Sequence, residues 1–277
     1  DSDADLTAET LDLNADLEIT GLETAASVIS ADTIDGNIEI ANSNANSVTV
    51  SSLTTATGAE TLGDITFQQS GGGTLTVTNA NTGYGSIEIS TEAADLTANT
   101  VTAVDGDVTL ATTTSGNVLV NNITAADNSI TINSSGSITE LGNDPDADLT
   151  AATLDLNAAD GILGASPIET AATTISADTT NGNIEIANTH AGDVAVSSLT
   201  TGTGLIDFSQ SGGGSLTVSN AQTADGSVSI RVDNANLAAV AIEAGGAGDV
   251  ALTTTDGGDV IMDAVMAAGN QITVVSA

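Results

Sequence analysis

Along most of the chain, apolar residues come in pairs separated by a single polar or small residue. Such pairs are Ile38/Ile40, Val48/Val50, Ile65/Phe67, Leu75/Val77, Ile87/Ile89, Val108/Leu110, Val118/Val120 and Ile130/Ile132. Alternation with period two puts both members of a pair on one face of an extended strand. Gly, Asn, Asp and Ser occupy the breaks, and their tolerance of positive φ marks those breaks as turns. Neighbouring pairs often lie 10 to 12 residues apart, so two steps give a period of about 20 to 22 residues. No sustained 3.6-residue helical pattern competes with this one. The pattern predicts an all-β chain.

Short strands at even spacing fit a sandwich, a propeller or a solenoid. A coil-length period favours the solenoid, a parallel β-helix whose coils stack about 4.8 Å apart and bury Val, Ile and Leu against the coil above and below. Propeller blades carry aromatic signatures, and aromatic residues make up only 1% of this sequence. Asn residues near the breaks, Asn79, Asn81, Asn121 and Asn122, are candidates for stacked side-chain amides at the corners.

A longer repeat lies over the short one. DSDADLTAETLDLNA (Asp1–Ala15) returns as DPDADLTAATLDLNA (Asp144–Ala158), and QSGGGTLTVTNA (Gln69–Ala80) as QSGGGSLTVSNA (Gln210–Ala221). The chain is therefore divided into two long repeats, 1–143 and 144–277, expected to form one continuous run of coils. The two glycine triplets are not phosphate loops. A strand follows each of them instead of a helix, and no Lys-Ser/Thr comes after. They read as solenoid corners.

The segments ADLTAATLDLNAADGI (Ala147–Ile162), SGSI (Ser135–Ile138) and GDVTLATTTSGNVLV (Gly106–Val120) resemble the coils of filamentous-haemagglutinin-type bacterial surface proteins. The resemblance covers nearly the whole chain. It implies a right-handed parallel β-helix with coils of about 20 residues, acting as the shaft of a large exported adhesin. On this reading the chain is a structural β-solenoid of an extracellular bacterial fibre or adhesin shaft. It assembles by end-to-end stacking with copies of itself or with further repeats of a longer chain. The alternative is an adhesin segment that binds a cell-surface or polysaccharide receptor.

Charge sharpens the choice of partner. Thirty-seven acidic residues face a single Arg and no Lys, for a net charge of −36. Nucleic acid and anionic membrane surfaces require clustered cations, so both are excluded as partners. No apolar run is long enough for membrane insertion. Some thirteen coils would make a rod about 60 Å long, with roughly one charge per 1.7 Å, the linear density of duplex DNA. Such a rod gathers divalent cations and repels itself at low salt, which points to a marine or saline setting. The chain has no Cys, so thiolate metal sites and disulfides are ruled out.

Candidate chemistry is sparse. Sugar lyases need a base and cations, and Arg231 alone is available, at a position where the first repeat has Ser90. The chain is not expected to be an enzyme. His190 replaces Asn44 at a turn, and Tyr84 matches Asp225, so both read as corner residues. Two acidic triplets stand out: Asp1, Asp3 and Asp5, and Asp144, Asp146 and Asp148. Alternate carboxylates of this kind suit Ca²⁺, which takes six to eight hard oxygen ligands. Leu6 and Leu149 replace the Gly that an EF-hand loop requires, so the expectation is a simple Ca²⁺ clip where each long repeat begins. Thr-x-Thr pairs such as Thr76/Thr78 also occur as flat ladders in ice-binding solenoids, but here they mix with Ser, Asp and Glu.

Overall fold

The computed structural model describes residues 3–55, 63–268 and 270–277. Every regular element among them is a β-strand, 23 in number. The ladders are parallel, and each strand pairs with a strand roughly one coil away in sequence. Leu96 lies beside Val118, Val194 beside Leu216, and Ile206 beside Val228. The fold is a parallel β-solenoid with coils of roughly 22 residues, as the apolar spacing predicts. No helix among the described residues is long and apolar enough to cross a membrane.

Contacts group the chain into two compact units, Asp1–Gly136 and Ser137–Ala277. The division falls earlier than the 143/144 boundary of the sequence repeat. The reason is that the short strand Ser137–Glu140 pairs forward, Ser137 with Gly161 and Ile138 with Ile162.

In the first unit the inward residues form continuous columns. One runs Ile38, Ile65, Ile87, Val108, Ile130, and its neighbour Ile40, Phe67, Ile89, Leu110, Ile132. A third runs Leu11, Ile29, Val50, Val77, Ala98, Val120. The second unit repeats the arrangement, with Ile162, Ile184, Ile206, Val228, Val250, Ile272 in one column. Another contains Leu154, Ile175, Val196, Val218, Ala239, Met262. Burying each fully enclosed Val, Leu, Ile or Phe of these columns stabilises the coil by about 1.5–3 kcal/mol. Phe67 and Phe208, the largest buried side chains, occupy equivalent places in the two repeats.

Two kinds of hydrogen bond and one close backbone approach turn the chain at the corners. Between inward pairs such as Val50 and Leu53 the register slips and the strand bends, freeing carbonyls. Side chains of the next coil satisfy them: Ser51 Oγ donates to Ile29 O, Asn99 Nδ2 to Val77 O and Ser197 Oγ to Ile175 O. Before the strands, acceptor side chains hold the N–H of the following coil. Asn37 Oδ1 accepts from Asp64 N, Asp64 Oδ1 from Ser86 N, Ser86 Oγ from Asp107 N, and Asp107 Oδ1 from Ser129 N. At the glycine triplets the corner closes on backbone. A Cβ on Gly71 or Gly73 would collide with the carbonyls of Asn44 or Asn46, and one on Gly212 or Gly214 with those of His190 or Gly192. At the outer two positions of each triplet nothing larger fits, while Gly72 and Gly213 between them have open space and positive φ.

The amide ladder differs from the expected one. Asn79 and Asn121 reach only a Ser hydroxyl and a backbone carbonyl. The stacked amides lie inside instead, at Asn42 and Gln69 and again at Asn188 and Gln210. Nor does Thr76/Thr78 belong to a flat threonine face. The column of Thr76 runs Thr49, Thr76, Thr97 and ends at Leu119, while Thr78 falls at the bend, outside the ladder.

Candidate functional site

The densest group of chemically active side chains among the described residues lies in the second unit. Glu140 ends the strand Ser137–Glu140, Asp148 directly precedes Leu149–Ala158, and Glu169 is the second residue of Ile168–Thr179. Carboxylate oxygens of all three lie within 4.8 Å of one another. The ladder itself brings two of them together. Leu149 pairs with Thr170, so Asp148 and Glu169 stand side by side one coil apart. Asp148 N donates to Glu169 O at 2.9 Å, and Glu169 N donates to Asp148 Oδ2 at 3.3 Å. Glu140 then closes over the pair. Its Oε1 accepts from Asp144 N at 3.2 Å and its Oε2 from the Ser166 hydroxyl.

Burial makes the group unusual. Asp148 is only 4% exposed and Glu140 9%. Loss of water pushes the Asp148 carboxyl up to about 7, and the negative charges of Glu140, Glu169 and Asp144 push the same way against the Glu169 N–H. Glu169 is also raised, first by burial and then by Glu140. Its Oε2 is buried without a hydrogen-bond partner. Three carboxylates so placed can share a proton or surround a hard cation.

Of the residues expected to clip Ca²⁺, Asp148 alone belongs to this cluster. Asp144 and Asp146 are exposed, and Asp144 Oδ1 accepts from Asp146 N in a local turn. In the first unit Asp1 lies outside the described residues and Asp3 is exposed. Asp5 repeats the Asp148 geometry: Asp5 N donates to Glu23 O, and Glu23 N to Asp5 Oδ2. Asp5 is nevertheless exposed. Sequence reasoning does not find Glu140 and Glu169. The coil period carries the signal for Glu169, which lies 21 residues beyond Asp148. Glu140 has no such signal, because an irregular turn returns it to the pair.

The remaining polar candidates are used by the architecture. Arg231 is exposed and paired with Asp233 at 3.0 Å. The His190 carbonyl accepts from Gln210 Nε2 at 2.7 Å. Asp249, in the glycine-rich stretch near the C-terminus, accepts from Gln271 N at 2.9 Å. No family model, curated protein or solved structure matches the chain.

Proposed function

We propose that the chain is a structural element, an acidic shaft section of an extracellular bacterial fibre or adhesin, in which the stacking of coils is itself the function. The observation that carries this reading is the use made of the acids. Asp64, Asp95, Asp107 and Asp193 each hold a backbone N–H of the next coil, about 22 residues on. The same side chains leave the surface polyanionic. The carboxylates thus serve coil-to-coil cohesion and solubility in both units, and Asp107 does so together with its counterpart Asp249. The likeness of the coils to haemagglutinin-type shafts supports a surface location. Divalent cations are the partners such a surface calls for, because they screen 36 net charges at low concentration.

Antibodies against the chain, applied with gold labelling to intact cells that produce it, test the reading. Label along surface fibrils is the expected result. Label confined to the cell interior would overturn it.

A further inference from the structure

Asn181 and Gly182 form the sole Asn–Gly pair in the sequence. They stand at a corner of the second unit, between the strands Ile168–Thr179 and Ile184–Asn188. Glycines stack coil upon coil at this corner. A Cβ on Gly204 would meet Gly182 O, one on Gly226 would meet Gly204 O, and one on Gly248 would meet Gly226 O. The first unit has the same column in Gly36, Gly63, Gly85 and Gly106. Its counterpart of Asn181 is Asp35, where DGNIEIAN stands in place of NGNIEIAN.

The side-chain amide of Asn181 and the nitrogen of Gly182 are both open to reaction. Asn181 is exposed, so water reaches its amide. Gly182 has no side chain to shield its nitrogen. Among the described residues no group accepts a hydrogen bond from the Gly182 N–H. The Gly182 carbonyl, by contrast, is held by the hydroxyls of Thr179 at 3.0 Å and Thr201 at 2.8 Å. Asn181 Oδ1 accepts from the Thr203 hydroxyl of the next coil at 3.3 Å. A donor on an amide oxygen stabilises the negative charge that collects there when the amide carbon is attacked.

We propose that Asn181 is a self-modification site, at which the folded chain converts it to aspartate with water as the only co-reactant. The Gly182 nitrogen gives up its proton and attacks Asn181 Cγ, closing a five-membered succinimide. The side-chain nitrogen takes up a proton and leaves as ammonia. Water then opens the ring. Opening at Cγ gives aspartate, and opening at the main-chain carbonyl gives isoaspartate, whose backbone is one methylene longer. The corner selects between the two. Gly182 abuts the Asp160 carbonyl on one side and Gly204 on the other, so a longer backbone has no room between those coils. Aspartate needs none, and Asp35 already occupies the equivalent place. The conversion adds a negative charge to the outer corner and makes the second repeat match the first there. This inference stands apart from the shaft reading.

Ageing the purified chain in mildly alkaline buffer, which favours loss of the amide proton, tests this. Samples are then denatured and cleaved after Glu, and the peptide from Thr170 to Glu185 is sequenced by mass spectrometry. Asn181 is expected to convert ahead of every other Asn, with aspartate as the main product. Thr203 is exposed, so Thr203→Val keeps the fold, which circular dichroism checks. That variant should convert roughly fivefold more slowly, the worth of one neutral hydrogen bond. Thr203→Ser, which keeps the hydroxyl, should convert at the wild-type rate. In urea the corner is gone, so wild type and Thr203→Val should convert alike and isoaspartate should prevail. An Asn181 that stays intact in the folded chain, isoaspartate as its main product there, or equal folded-state rates for wild type and Thr203→Val would each overturn the proposal.

Discussion

Asn188 donates its side-chain amide to Gln210 Oε1 at 2.7 Å inside the second unit, and Asn42 donates to Gln69 at the same distance inside the first. Around each Asn the network is closed. Asn188 Oδ1 accepts from the Thr170 hydroxyl and from Ala172 N, both at 2.9 Å, while its Nδ2 also reaches Ala172 O at 3.1 Å. Asn42 makes the same bonds to Thr24 and Ala26. These amides stand beside columns of Ile, Val and Phe. A strand that slipped by one residue would bury an apolar group against them and leave their polar atoms unpaired. The ladder therefore selects the register that the apolar columns only favour.

Replacing Asn188 by Ala strands Thr170 Oγ1, Ala172 N and Gln210 Oε1 in the interior. Each unsatisfied buried group costs about 1–3 kcal/mol, so a loss of at least 3 kcal/mol is expected after relaxation. In a thermal melt this appears as a fall in Tm of about 5 °C or more. The neighbours Gln68 and Gln69 supply the control. Gln68→Ala, at an exposed position, should change stability by less than about 0.5 kcal/mol, whereas Gln69→Ala should behave like Asn188→Ala.

Asp148 makes the second unit respond to pH in a definite direction. Its carboxyl is raised to about 7 in the folded chain, from an ordinary value of 3.8. Between those values the unfolded chain has released the proton and the folded chain still holds it. Stability therefore falls as pH rises through about 4 to 7 and levels off above that window. The variant Asp148→Asn lacks this dependence. Its Tm relative to wild type should rise from pH 4.5 to about pH 7 and then level off, and a constant difference between pH 4.5 and pH 8 would refute the assignment.

The glycine corners separate two costs. Gly73 faces the Asn46 carbonyl, so Gly73→Ala must push the backbone of two coils apart. Gly72 has φ +90° but open space around it, so Gly72→Ala meets only conformational strain, about 1 kcal/mol. Urea unfolding of the two variants should show Gly73→Ala as clearly the more destabilised.

Screening should stabilise both units. Raising NaCl at neutral pH is expected to raise Tm, and millimolar Ca²⁺ should do so at far lower ionic strength. Asp146 is exposed and lies outside the carboxylate cluster, so Asp146→Asn should keep the Ca²⁺ increment. Glu140→Gln, which removes a charge from the buried group, should shrink it. Melting curves with Ca²⁺ and with a chelator at fixed ionic strength measure both.

Much of the fold is legible in the sequence because it is written in adjacent residues. The pairs Ile38/Ile40, Leu75/Val77 and Val108/Leu110 are all buried with the intervening residue turned outward. The glycine triplets are readable as corners because a Thr-rich or Ser-rich strand, Leu75–Thr82 or Leu216–Thr223, comes directly after each. The inner amides are not readable in this way, since Asn42 and Gln69 look like ordinary strand ends until the ladder sets them 27 residues apart and in contact. The buried carboxylates are legible only in part. Asp148 stands in a visible triplet, but the turn that returns Glu140 to it has no period.

By itself the sequence determined the strands, their inward faces, the coil length and the duplication, because alternation and turn chemistry act over a few neighbouring residues. Only the tertiary structure decided the environments. Asp5-Leu6-Thr7 and Asp148-Leu149-Thr150 are the same three residues with the same ladder to the next coil. Yet Asp148 and Leu149 are buried, while Asp5 and Leu6 are exposed. Asp148 is covered by Glu140, which an irregular turn folds back over it. That turn follows no coil period, so no repeating pattern in the sequence encodes it.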